Sequence, residues 1–470
     1  MTTVVMKFGG SLLASRHGIR RVGDIVERTR KAGDKYVVVV SALGDVTDVL
    51  LQAANDAKGW SEDEILQAID KLRKIHLSAI EQSSLREDGK TEVLEGVEAS
   101  LDSLRQTLLG VSILKELSPR SRDLIVSFGE RMSAPIVSAE IRLRGMGSSS
   151  LTGGEAGIIT DDAFGEAVPV LGATMRSVRR RLMPRLERGE VPVVAGFIAR
   201  SKYGEITTLG RGGSDYTATL LASSLDADEV WIWTDVDGIM TADPRVVKKP
   251  ATVPALSYAE AEELAFFGAK NMHPLALGPA IRAGLPVRIK NGFRPELPGT
   301  LITKEQSKSR GVVKVVAVVR NVGLLTVAGE TLQGRPGIAA RVFSALASNR
   351  INVLMISQSV SEANISMIVR RSSLKFAEKA LRRELTSQGI VVEGDPGVSV
   401  VAAVGAGMRG EKGVAAKIFG AIASRGINIR MIAQGSSELN VSFVVNERDA
   451  DDAVRALHSQ VVNHIRGSRE

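Results

Sequence analysis

The chain has 470 residues, which predicts about three domains of roughly 100–200 residues each. Hydrophobic residues make up 44% of it and aromatic residues only 4%, which favours aliphatic cores, and the absence of cysteine excludes disulfides, thiolate nucleophiles and cysteine metal sites. The net charge is +8, and no apolar run reaches the roughly 18–20 residues of a membrane span. The start of the chain shows no signal-peptide pattern, so we expect a cytoplasmic protein.

Short apolar segments alternate with amphipathic segments through residues 1–303. We predict strands at 4–8, 36–41, 191–198, 229–234 and 287–290. We predict helices at 18–31, 171–187 and 215–225. This alternation predicts an α/β domain with a mostly parallel central sheet sandwiched by helices. The purely helical pattern from about 46 to 118 predicts an insertion within that domain.

The last third of the chain contains a repeat. Residues 334–369 align with 410–445 without a gap, and 18 of the 36 positions are identical. Each copy predicts a small βαββαβ module. In the first copy we predict strands at 323–328, 351–357, 365–370 and 390–393, with helices at 338–348 and 374–387. In the second copy we predict the last helix at about 449–459.

The second copy lacks a final strand, whereas an extra strand at 312–319 precedes the first copy. We therefore predict that this strand crosses over to complete the second module. The predicted domains are 1–303 for the α/β domain, 304–311 for a polar linker, 320–395 for module 1, and 312–319 with 396–470 for module 2.

Residues 7–11 read KFGGS and lie at the end of the first predicted strand. Gly9 and Gly10 let backbone N–H groups approach an anion closely, and Lys7 supplies a positive charge suited to a phosphate. The alternative for the glycine pair is an ordinary tight turn. Ser41 ends the second predicted strand, where an α/β sheet places its ligands.

Residues 208–216 read TLGRGGSDY and lead into a predicted helix. Arg211 offers a bidentate grip on a carboxylate, and Gly212 and Gly213 can form an anion nest. Ser214 or Asp215 alone would be explained as a helix N-cap, but that interpretation does not explain the whole combination. We therefore favour a binding site here.

Each of the other motifs has both a functional and an ordinary structural interpretation. Thr234 and Asp235 begin TDVDG, and Arg245 ends DPR, both of which are also typical turn sequences. Lys270 in FGAK lies in an apolar stretch, which favours burial or ligand contact over solvation. Glu130 in SFGER is either a surface residue or a buried partner for a cation, and both interpretations stay open.

Six arginines lie between residues 176 and 188 in a helical pattern. A nucleic-acid surface is one interpretation, but no aromatic residue interleaves with them, so we favour a solvated helix face and expect no nucleic-acid partner. An anionic small-molecule substrate fits the charge balance equally well. The five histidines, including His273, show no metal-ligand spacing, and we predict no metal site built from protein side chains.

Together these motifs resemble those of an aspartate kinase of the amino-acid kinase superfamily, in its monofunctional form, followed by paired ACT domains. The resemblance covers essentially the whole chain. It rests on KFGGS, VVVSA, SFGER, TLGRGGSDY, TDVDG, DPR, FGAK and the doubled QxxSExNxS at 358–366 and 434–442. The helical insertion and the wording PRSRDLIVSFGER are most similar to archaeal enzymes.

The resemblance implies phosphorylation of L-aspartate by ATP with Mg²⁺, giving 4-phospho-L-aspartate for lysine, threonine, methionine and isoleucine synthesis. The implied catalytic residues are Lys7, Asp215 and Lys270. The implied aspartate contacts are Ser41, Thr47, Glu130, Arg211 and Ser214. The implied ATP contacts are Lys7, Gly9, Gly10, Ser11, Gly212, Gly213, Thr234, Asp235, Arg245 and Lys270.

The resemblance also implies an amino-acid effector, threonine or lysine, and a homodimer or larger homo-oligomer. Candidate effector contacts are Asn352, Gln358, Asn428 and Gln434, which could instead be strand-end residues that pair the modules. The family usually reads KFGGTSV where this chain has KFGGS followed by Leu12-Leu13, so a second hydroxyl is missing, and the chain also departs from the family at Met240. Two alternatives stay open: a kinase for another carboxylate, such as glutamate or acetylglutamate, and a non-catalytic amino-acid sensor.

Overall fold

The computed structural model describes residues 1–267, 274–305, 312–329, 337–359, 364–385 and 389–462. The chain folds into two compact units. The first comprises Met1–Ile239, Pro254–Tyr258 and Lys270–Glu305, and the second comprises Met240–Val253, Ala259–Ala269 and Gln306–Glu470. Two segments that lie between parts of the first unit in sequence, Met240–Val253 and Ala259–Ala269, therefore belong to the second unit. In the described part of the chain, no helix is long and apolar enough to cross a membrane.

The first unit is built on a large sheet and a small one. The strands are β1 (Thr3–Phe8), β2 (Lys35–Val40), β3 (Ser150–Thr152), β4 (Ile159–Thr160), β5 (Val193–Ala195), β6 (Ile198–Ser201), β7 (Ile206–Thr208), β8 (Glu229–Thr234), β9 (Ala255–Ser257), β10 (Val287–Asn291) and β11 (Thr300–Thr303). The large sheet has the order β3-β5-β2-β1-β8-β10-β11-β9, and β4, β6 and β7 form the small one. The first six strands of the large sheet run parallel.

Helices alternate with these strands along the chain. They are α1 (Gly10–Leu13), α2 (Gly18–Thr29), α3 (Val46–Asp56), α4 (Glu62–Glu81), α5 (Glu87–Leu114), α6 (Pro119–Leu143), α7 (Gly153–Ala156), α8 (Leu171–Glu187), α9 (Gly213–Ser224), α10 (Tyr258–Phe266) and α11 (Pro274–Ala283). Of these, α10 belongs to the second unit from Ala259 onward. One hydrophobic cluster runs from β1 and β2 through α3, α4 and α5 to α6. Strand β2 reads KYVVVV and is buried over its last five residues, as expected for a parallel strand covered on both faces. Helix α6 belongs to the same core, which makes it a rigid support for polar side chains that it presents to the sheet.

The predicted strand at 191–198 is wrong as one continuous element. Strand β5 ends at Ala195, and β6 begins only at Ile198. The break lies at Gly196 and Phe197, where Phe197 adopts a left-handed conformation with φ of 67°. The Phe197 N–H donates to Thr217 Oγ1 at 3.0 Å instead of to a neighbouring strand. A bulky residue in this conformation is strained, so surrounding structure must hold it there.

The second unit contains a six-stranded antiparallel sheet. Its strands are β12 (Val315–Ala328), β13 (Val353–Gln358), β14 (Asn364–Arg370), β15 (Val391–Val404), β16 (Met431–Ala433) and β17 (Asn440–Asn446), in the order β13-β14-β12-β15-β17-β16. Its helices are α12 (Ile338–Ser348), α13 (Arg371–Leu385), α14 (Val414–Ala423) and α15 (Ala450–Gln460). Helices α12 and α13 contribute to one hydrophobic cluster, and α14 and α15 contribute to another.

Strands β12 and β15 are long and run through the middle of the sheet. The first half of β12 pairs with the second half of β15, which continues to β17, whereas the second half of β12 pairs with β14 and with the first half of β15. Bulges between Val319 and Val322 separate the halves. The predicted strands at 312–319 and 323–328 are therefore one strand, because the left-handed Asn321 bends the ladder without ending it.

The segment Met240–Val253 and part of α10 are packed inside the second unit. Ala242 belongs to the same hydrophobic cluster as α14 and α15. Thr241 accepts a hydrogen bond at its carbonyl from Val316 N–H at 2.9 Å, and its hydroxyl lies 2.8 Å from His458 Nε2. Glu260 of α10 forms a buried ion pair with Lys314, at 3.0 Å. These contacts anchor both segments by polar as well as apolar groups.

Candidate active site

Lys7 and Asp215 form the centre of the candidate site. Lys7 lies near the end of β1, and Asp215 lies in the first turn of α9. Their side chains form an ion pair with Nζ 2.6 Å from Oδ1, and each is only 12–13% exposed. A partly buried carboxylate at this distance fixes the position of the lysine ammonium through a charge-assisted hydrogen bond. Lys7 is thus a positioned cation at the carboxyl end of the sheet, where parallel α/β sheets bind ligands.

The glycine turn after β1 is required by close backbone packing. Gly9 N–H donates to the carbonyl of Trp233 in the neighbouring strand β8, at 3.1 Å. A Cβ on Gly10 would lie 2.6 Å from the carbonyl oxygen of Ala42, and Gly44 N–H donates to the Gly10 carbonyl at 3.0 Å. The turn is therefore locked to the loop that follows β2. Ser11 is exposed beside it, so its hydroxyl is accessible to a ligand.

Glu130 is buried on α6 and is short of partners. Its side chain is 2% exposed, Oε1 accepts a hydrogen bond from Ala42 N–H at 3.2 Å, and Oε2 has no hydrogen-bond partner. Burial raises the pKa of Glu130 to about 8, while the Ala42 N–H and the charge of Lys7 act in the opposite direction. The structure thus decides between the two interpretations left open by the sequence: Glu130 is buried. An unpaired buried carboxylate oxygen suits a cationic ligand group.

Close packing brings α6 to the end of β2. A Cβ on Gly129 would lie 2.8 Å from the Cβ of Ala42, so glycine permits this approach. Ser133 Oγ donates to the carbonyl of Ser41 at 2.8 Å. Ser41 is half-buried at this position, and Thr47, also half-buried, lies in the first turn of α3. The loop after β2 therefore contacts both the glycine turn and the Glu130 helix.

The loop before α9 places an exposed arginine next to buried groups. Arg211 is exposed, whereas Ser214 and Asp215 are each 9% exposed. Gly212 is the N-cap of α9 with φ of 71°, a conformation that favours glycine. A Cβ on Gly213 would lie 2.7 Å from the Phe197 ring, so this position also requires glycine. Both glycines therefore serve backbone geometry, which leaves Arg211 as the side chain free to reach a ligand.

The remaining predicted residues are distributed over both units. In the first unit, the Thr234 hydroxyl donates to Asp235 Oδ1 at 3.1 Å, and Asp235 is exposed after β8. In the second unit, the exposed Arg245 forms a bidentate ion pair with Asp243. Asn352, Gln358, Asn428 and Gln434 are exposed in the second unit, next to the strands of its sheet. Lys270 and His273 lie outside the described residues.

Sequence reasoning missed two residues of this site. Asp123 lies on α6 two turns before Glu130 and is 1% exposed, and Phe197 holds a strained backbone against the loop before α9. For Asp123 the available signal was the seven-residue spacing from Glu130, which places both carboxylates on one face of a helix. For Phe197 we find no signal, because a left-handed conformation at phenylalanine contradicts its intrinsic preference.

This arrangement offers distinct chemistry for a ligand with several charges. Lys7 and the N–H groups of Gly10 and Ser11 can stabilise an anion such as a phosphate. The unpaired Oε2 of Glu130 suits an ammonium group, and Arg211 suits a carboxylate. A small zwitterion beside a phosphate matches all three groups.

Comparisons with known proteins agree with this chemistry. The model of the amino acid kinase family matches residues 2–291, and the ACT domain model matches residues 325–385 and 401–461. Aspartokinases 1 and 2, chloroplastic, of Arabidopsis thaliana are each 34% identical to the chain, over 466 and 469 residues. These matches cover 97% of this chain and 79% and 84% of the plant proteins.

Solved structures match over the whole chain. E. coli aspartokinase III in complex with aspartate and ADP (R-state) is 33% identical, with a TM-score of 0.83, and the match covers 98% of this chain and 99% of that one. The same enzyme with lysine and aspartate (T-state) is 33% identical, with a TM-score of 0.79 and coverage of 98% and 100%. The predicted fold class, a mostly parallel kinase sheet followed by ACT modules, is confirmed.

Proposed function

The chain belongs to the aspartokinase family of amino acid kinases, and on that premise we propose that its first unit transfers the γ-phosphoryl group of ATP to the side-chain carboxylate of L-aspartate. The product is 4-phospho-L-aspartate. The observation that carries this proposal is the unpaired Oε2 of the buried Glu130, in a site whose cation, Lys7, is held by Asp215. A phosphate-binding cation alone would fit many kinases, whereas the buried carboxylate selects an acceptor with an ammonium group.

The two ends of the amino acid are assigned to Glu130 and Arg211. The substrate ammonium approaches the free oxygen of Glu130, and the pKa of Glu130 then falls because the ammonium stabilises its charged form. The α-carboxylate binds the guanidinium of Arg211 through two parallel hydrogen bonds. Ser41, Thr47 and Ser214 line the pocket with hydroxyl groups. This assignment leaves the side-chain carboxylate directed at the phosphoryl group.

The transfer itself needs no general base. The nucleophile is a carboxylate with a pKa of about 4, which is already ionised at neutral pH. Catalysis therefore consists of holding the acceptor in line and neutralising charge on the transferring phosphoryl oxygens. Lys7 supplies a positive charge there, and Asp215 fixes its position. Gly10 and Ser11 supply N–H and hydroxyl donors, while Gly9, whose own N–H is bonded to Trp233, lets the phosphate approach the backbone closely. Lys270 is proposed as a second cation.

ATP contacts are proposed at Thr234, Asp235, Gly212, Gly213 and Arg245. Mg²⁺ bound with ATP would neutralise phosphate charge, and it is held in proteins by one or two carboxylates together with phosphate oxygens and water. Asp235, exposed after β8, has the chemistry of such a ligand. Among the described residues no group of three or more acidic or histidine side chains forms a metal cluster.

The second unit is proposed to bind an amino-acid effector. Its strands correspond to the two ACT domain matches, and E. coli aspartokinase III has been solved with lysine. Lysine or threonine is the proposed effector, with Asn352, Gln358, Asn428 and Gln434 as contacts, and a homodimer as the proposed assembly. The exposed positions of these four residues beside the sheet leave them accessible to a ligand or a second subunit.

The first test measures ADP release with MgATP and L-aspartate, with and without lysine or threonine. We expect aspartate-dependent turnover that one of these amino acids inhibits. Lys7→Ala should lower kcat by roughly a hundredfold or more, because it removes the positioned cation. The exposed Lys58→Ala variant is the control and should retain activity. ADP release that glutamate supports better than aspartate, or equal activity of the two variants, would contradict the proposal.

A further inference from the structure

Asp123 is a buried carboxylate of the first unit that takes no part in the steps above. It lies on α6, seven residues before Glu130, and is 1% exposed. Seven residues are almost two turns of an α-helix, so both carboxylates lie on one face of the same helix. Glu130 offers a free oxygen, whereas both oxygens of Asp123 are occupied. The two residues thus serve different purposes from one rigid support.

Asp123 joins three segments of the chain. Its Oδ2 accepts hydrogen bonds from the N–H groups of Gly165 and Thr208, each at 2.9 Å. Its Oδ1 accepts a hydrogen bond from the Thr208 hydroxyl at 2.8 Å. Ala167 N–H donates to the Thr208 carbonyl at 2.9 Å, which closes the connection between the two loops. Helix α6, the loop of residues 161–168 and the end of β7 are therefore held by one side chain.

These bonds fix the start of the loop that carries Arg211. Thr208 is the last residue of β7 and precedes Arg211 by three residues. Between them, Leu209 N–H donates to the carbonyl of the strained Phe197 at 2.9 Å. A Cβ on Gly210 would lie 3.6 Å from the carbonyl oxygen of Gly165, so the loop packs against the segment that Asp123 holds. Arg211 is exposed, but the backbone leading to it is anchored on both sides.

We propose that Asp123 is a positioning residue for the reaction, which sets the separation between Glu130 and Arg211 by fastening the Arg211 loop to the helix that carries Glu130. The inference rests on the proposed function, in which these two groups hold the ammonium and α-carboxylate of the substrate. In this arrangement α6 fixes the distance between the group that binds the substrate ammonium, Glu130, and the group that binds its α-carboxylate, Arg211. Asp123 itself touches no substrate.

The chemistry of Asp123 suits a side chain that holds two loops against α6. Burial raises the pKa of Asp123, and the donors from Gly165 and Thr208 act against that rise because they favour the carboxylate. Hydrogen bonds to a charged acceptor are shorter and stronger than neutral ones. A neutral side chain in this place would hold the two loops more weakly.

The test replaces Asp123 by Ala and compares the variant with Glu140→Ala. Glu140 lies on the same helix, is equally buried, and accepts hydrogen bonds from Ser84 N–H and Arg144, away from the Arg211 loop. We expect Asp123→Ala to raise the KM for aspartate about 10- to 100-fold, with the KM for ATP within about twofold. Glu140→Ala should lower the thermal midpoint but leave the KM for aspartate within about twofold.

Hydrogen exchange supplies a readout that does not depend on activity. In Asp123→Ala the amides of residues 164–168 and 206–213 should exchange faster together, whereas Glu140→Ala should leave both segments unchanged. Asp123→Asn keeps one carbonyl acceptor, so its KM for aspartate should rise less than that of Asp123→Ala. Should Asp123→Ala not fold, Thr208→Val keeps the backbone donors, removes the hydroxyl bond, and should raise the aspartate KM by about three- to tenfold.

Two results would overturn the inference: an unchanged aspartate KM in Asp123→Ala, or equal rises in the KM for aspartate and for ATP. Wild-type turnover is measured first, so the failure of the proposed function is recognised separately. If the wild-type chain shows no aspartate-dependent ADP release, the proposed function is wrong, and with it the role of Asp123 in the reaction. If turnover is present, the variants decide the inference alone.

Discussion

Two buried glutamates, one in each unit, meet opposite surroundings. In the second unit, Glu260 is 0% exposed, lies 3.0 Å from Lys314 Nζ, and accepts a hydrogen bond from Ala406 N–H at 2.6 Å. In the first unit, Glu130 is 2% exposed, accepts one bond from Ala42 N–H, and has an unpaired Oε2. A buried carboxylate with its counter-ion completes a fold, whereas a buried carboxyl group without one can ionise only at a cost that a cationic ligand removes.

Lys314→Met should have the largest effect, because it removes the ammonium group from the buried Glu260. We expect the free energy of unfolding to fall by about 3–5 kcal/mol. Urea and thermal unfolding of the purified chain measure this loss. Arg320→Met is the matched control, since Arg320 forms an exposed ion pair with Asp451 in the same unit and should contribute no more than about 1 kcal/mol. Equal losses in the two variants would show that the buried ion pair stabilises the unit no more than the exposed one.

Glu130→Gln, in contrast to Lys314→Met, should lower activity without lowering stability. It removes the charge that receives the substrate ammonium, so we expect kcat/KM for aspartate to fall roughly a hundredfold, or about 3 kcal/mol. The thermal midpoint at pH 7 should stay the same or rise, because the folded chain must keep Glu130 largely protonated while the unfolded chain ionises it, and glutamine carries no such cost. Steady-state kinetics and thermal unfolding on one preparation measure both. A variant that loses stability while its kcat/KM is unchanged would assign Glu130 to the fold instead of the site.

The pH dependence of Glu130 gives a prediction with a defined direction. The pKa of Glu130 is raised to about 8 in the folded chain, from 4.5. Between pH 4.5 and about 8, Glu130 is protonated in the folded state and ionised in the unfolded state. The contribution of this residue to the free energy of unfolding therefore falls by about 1.4 kcal/mol for each unit that the pH rises in this range. Aspartate binding instead needs the carboxylate, so the KM for aspartate should fall as pH rises from about 6 to 8.

Kinetics from pH 6 to 9 in the wild-type chain and in Glu130→Gln measure this effect. We expect up to about a tenfold change in KM per pH unit below the pKa, and none from this residue in the variant. A KM that shows the same pH dependence in both proteins would assign the titration to another group.

Ser133→Ala should have the smallest effect. The Ser133 hydroxyl donates to the Ser41 carbonyl at 2.8 Å and helps to hold α6 against the loop that supplies Ala42 N–H to Glu130. We expect a loss of about 1 kcal/mol in stability and a rise of a few-fold in the KM for aspartate. Ser127→Ala is the control, because Ser127 bonds only the α6 carbonyl of Leu124 in the described structure. Equal changes in the KM for aspartate in Ser133→Ala and Ser127→Ala would contradict the role given to Ser133.

Much of the fold follows from local sequence. Helices α8 and α12 and strand β8 have the bounds predicted from periodicity, because their apolar positions match one packed face or a buried strand. The sites at the ends of β1 and β2 were predicted from glycine, lysine and serine because parallel sheets bind ligands at that edge. The predicted domain bounds stay a prediction.

What local sequence did not predict depends on tertiary contacts. The burial of Glu130 requires Gly129 to let α6 approach Ala42, and no periodicity shows which segment a helix face will meet. The break at Phe197 contradicts the preference of its residue type and is held by Thr217 and the loop before α9. The role of Asp123 depends on donors that are 42 and 85 residues away in sequence.

The long strands β12 and β15 have a mechanical consequence. One half of each strand lies in the part of the sheet that contains β14, and the other half lies in the part that contains β17. The two repeats therefore share two continuous strands. This is the geometry of an exchange of strands between two copies of one element, carried out within a single chain. Tension applied along β12 would load the ladders of both repeats in shear at once. Excising either repeat would cut a strand on which the other depends, so we expect neither repeat to fold without the other.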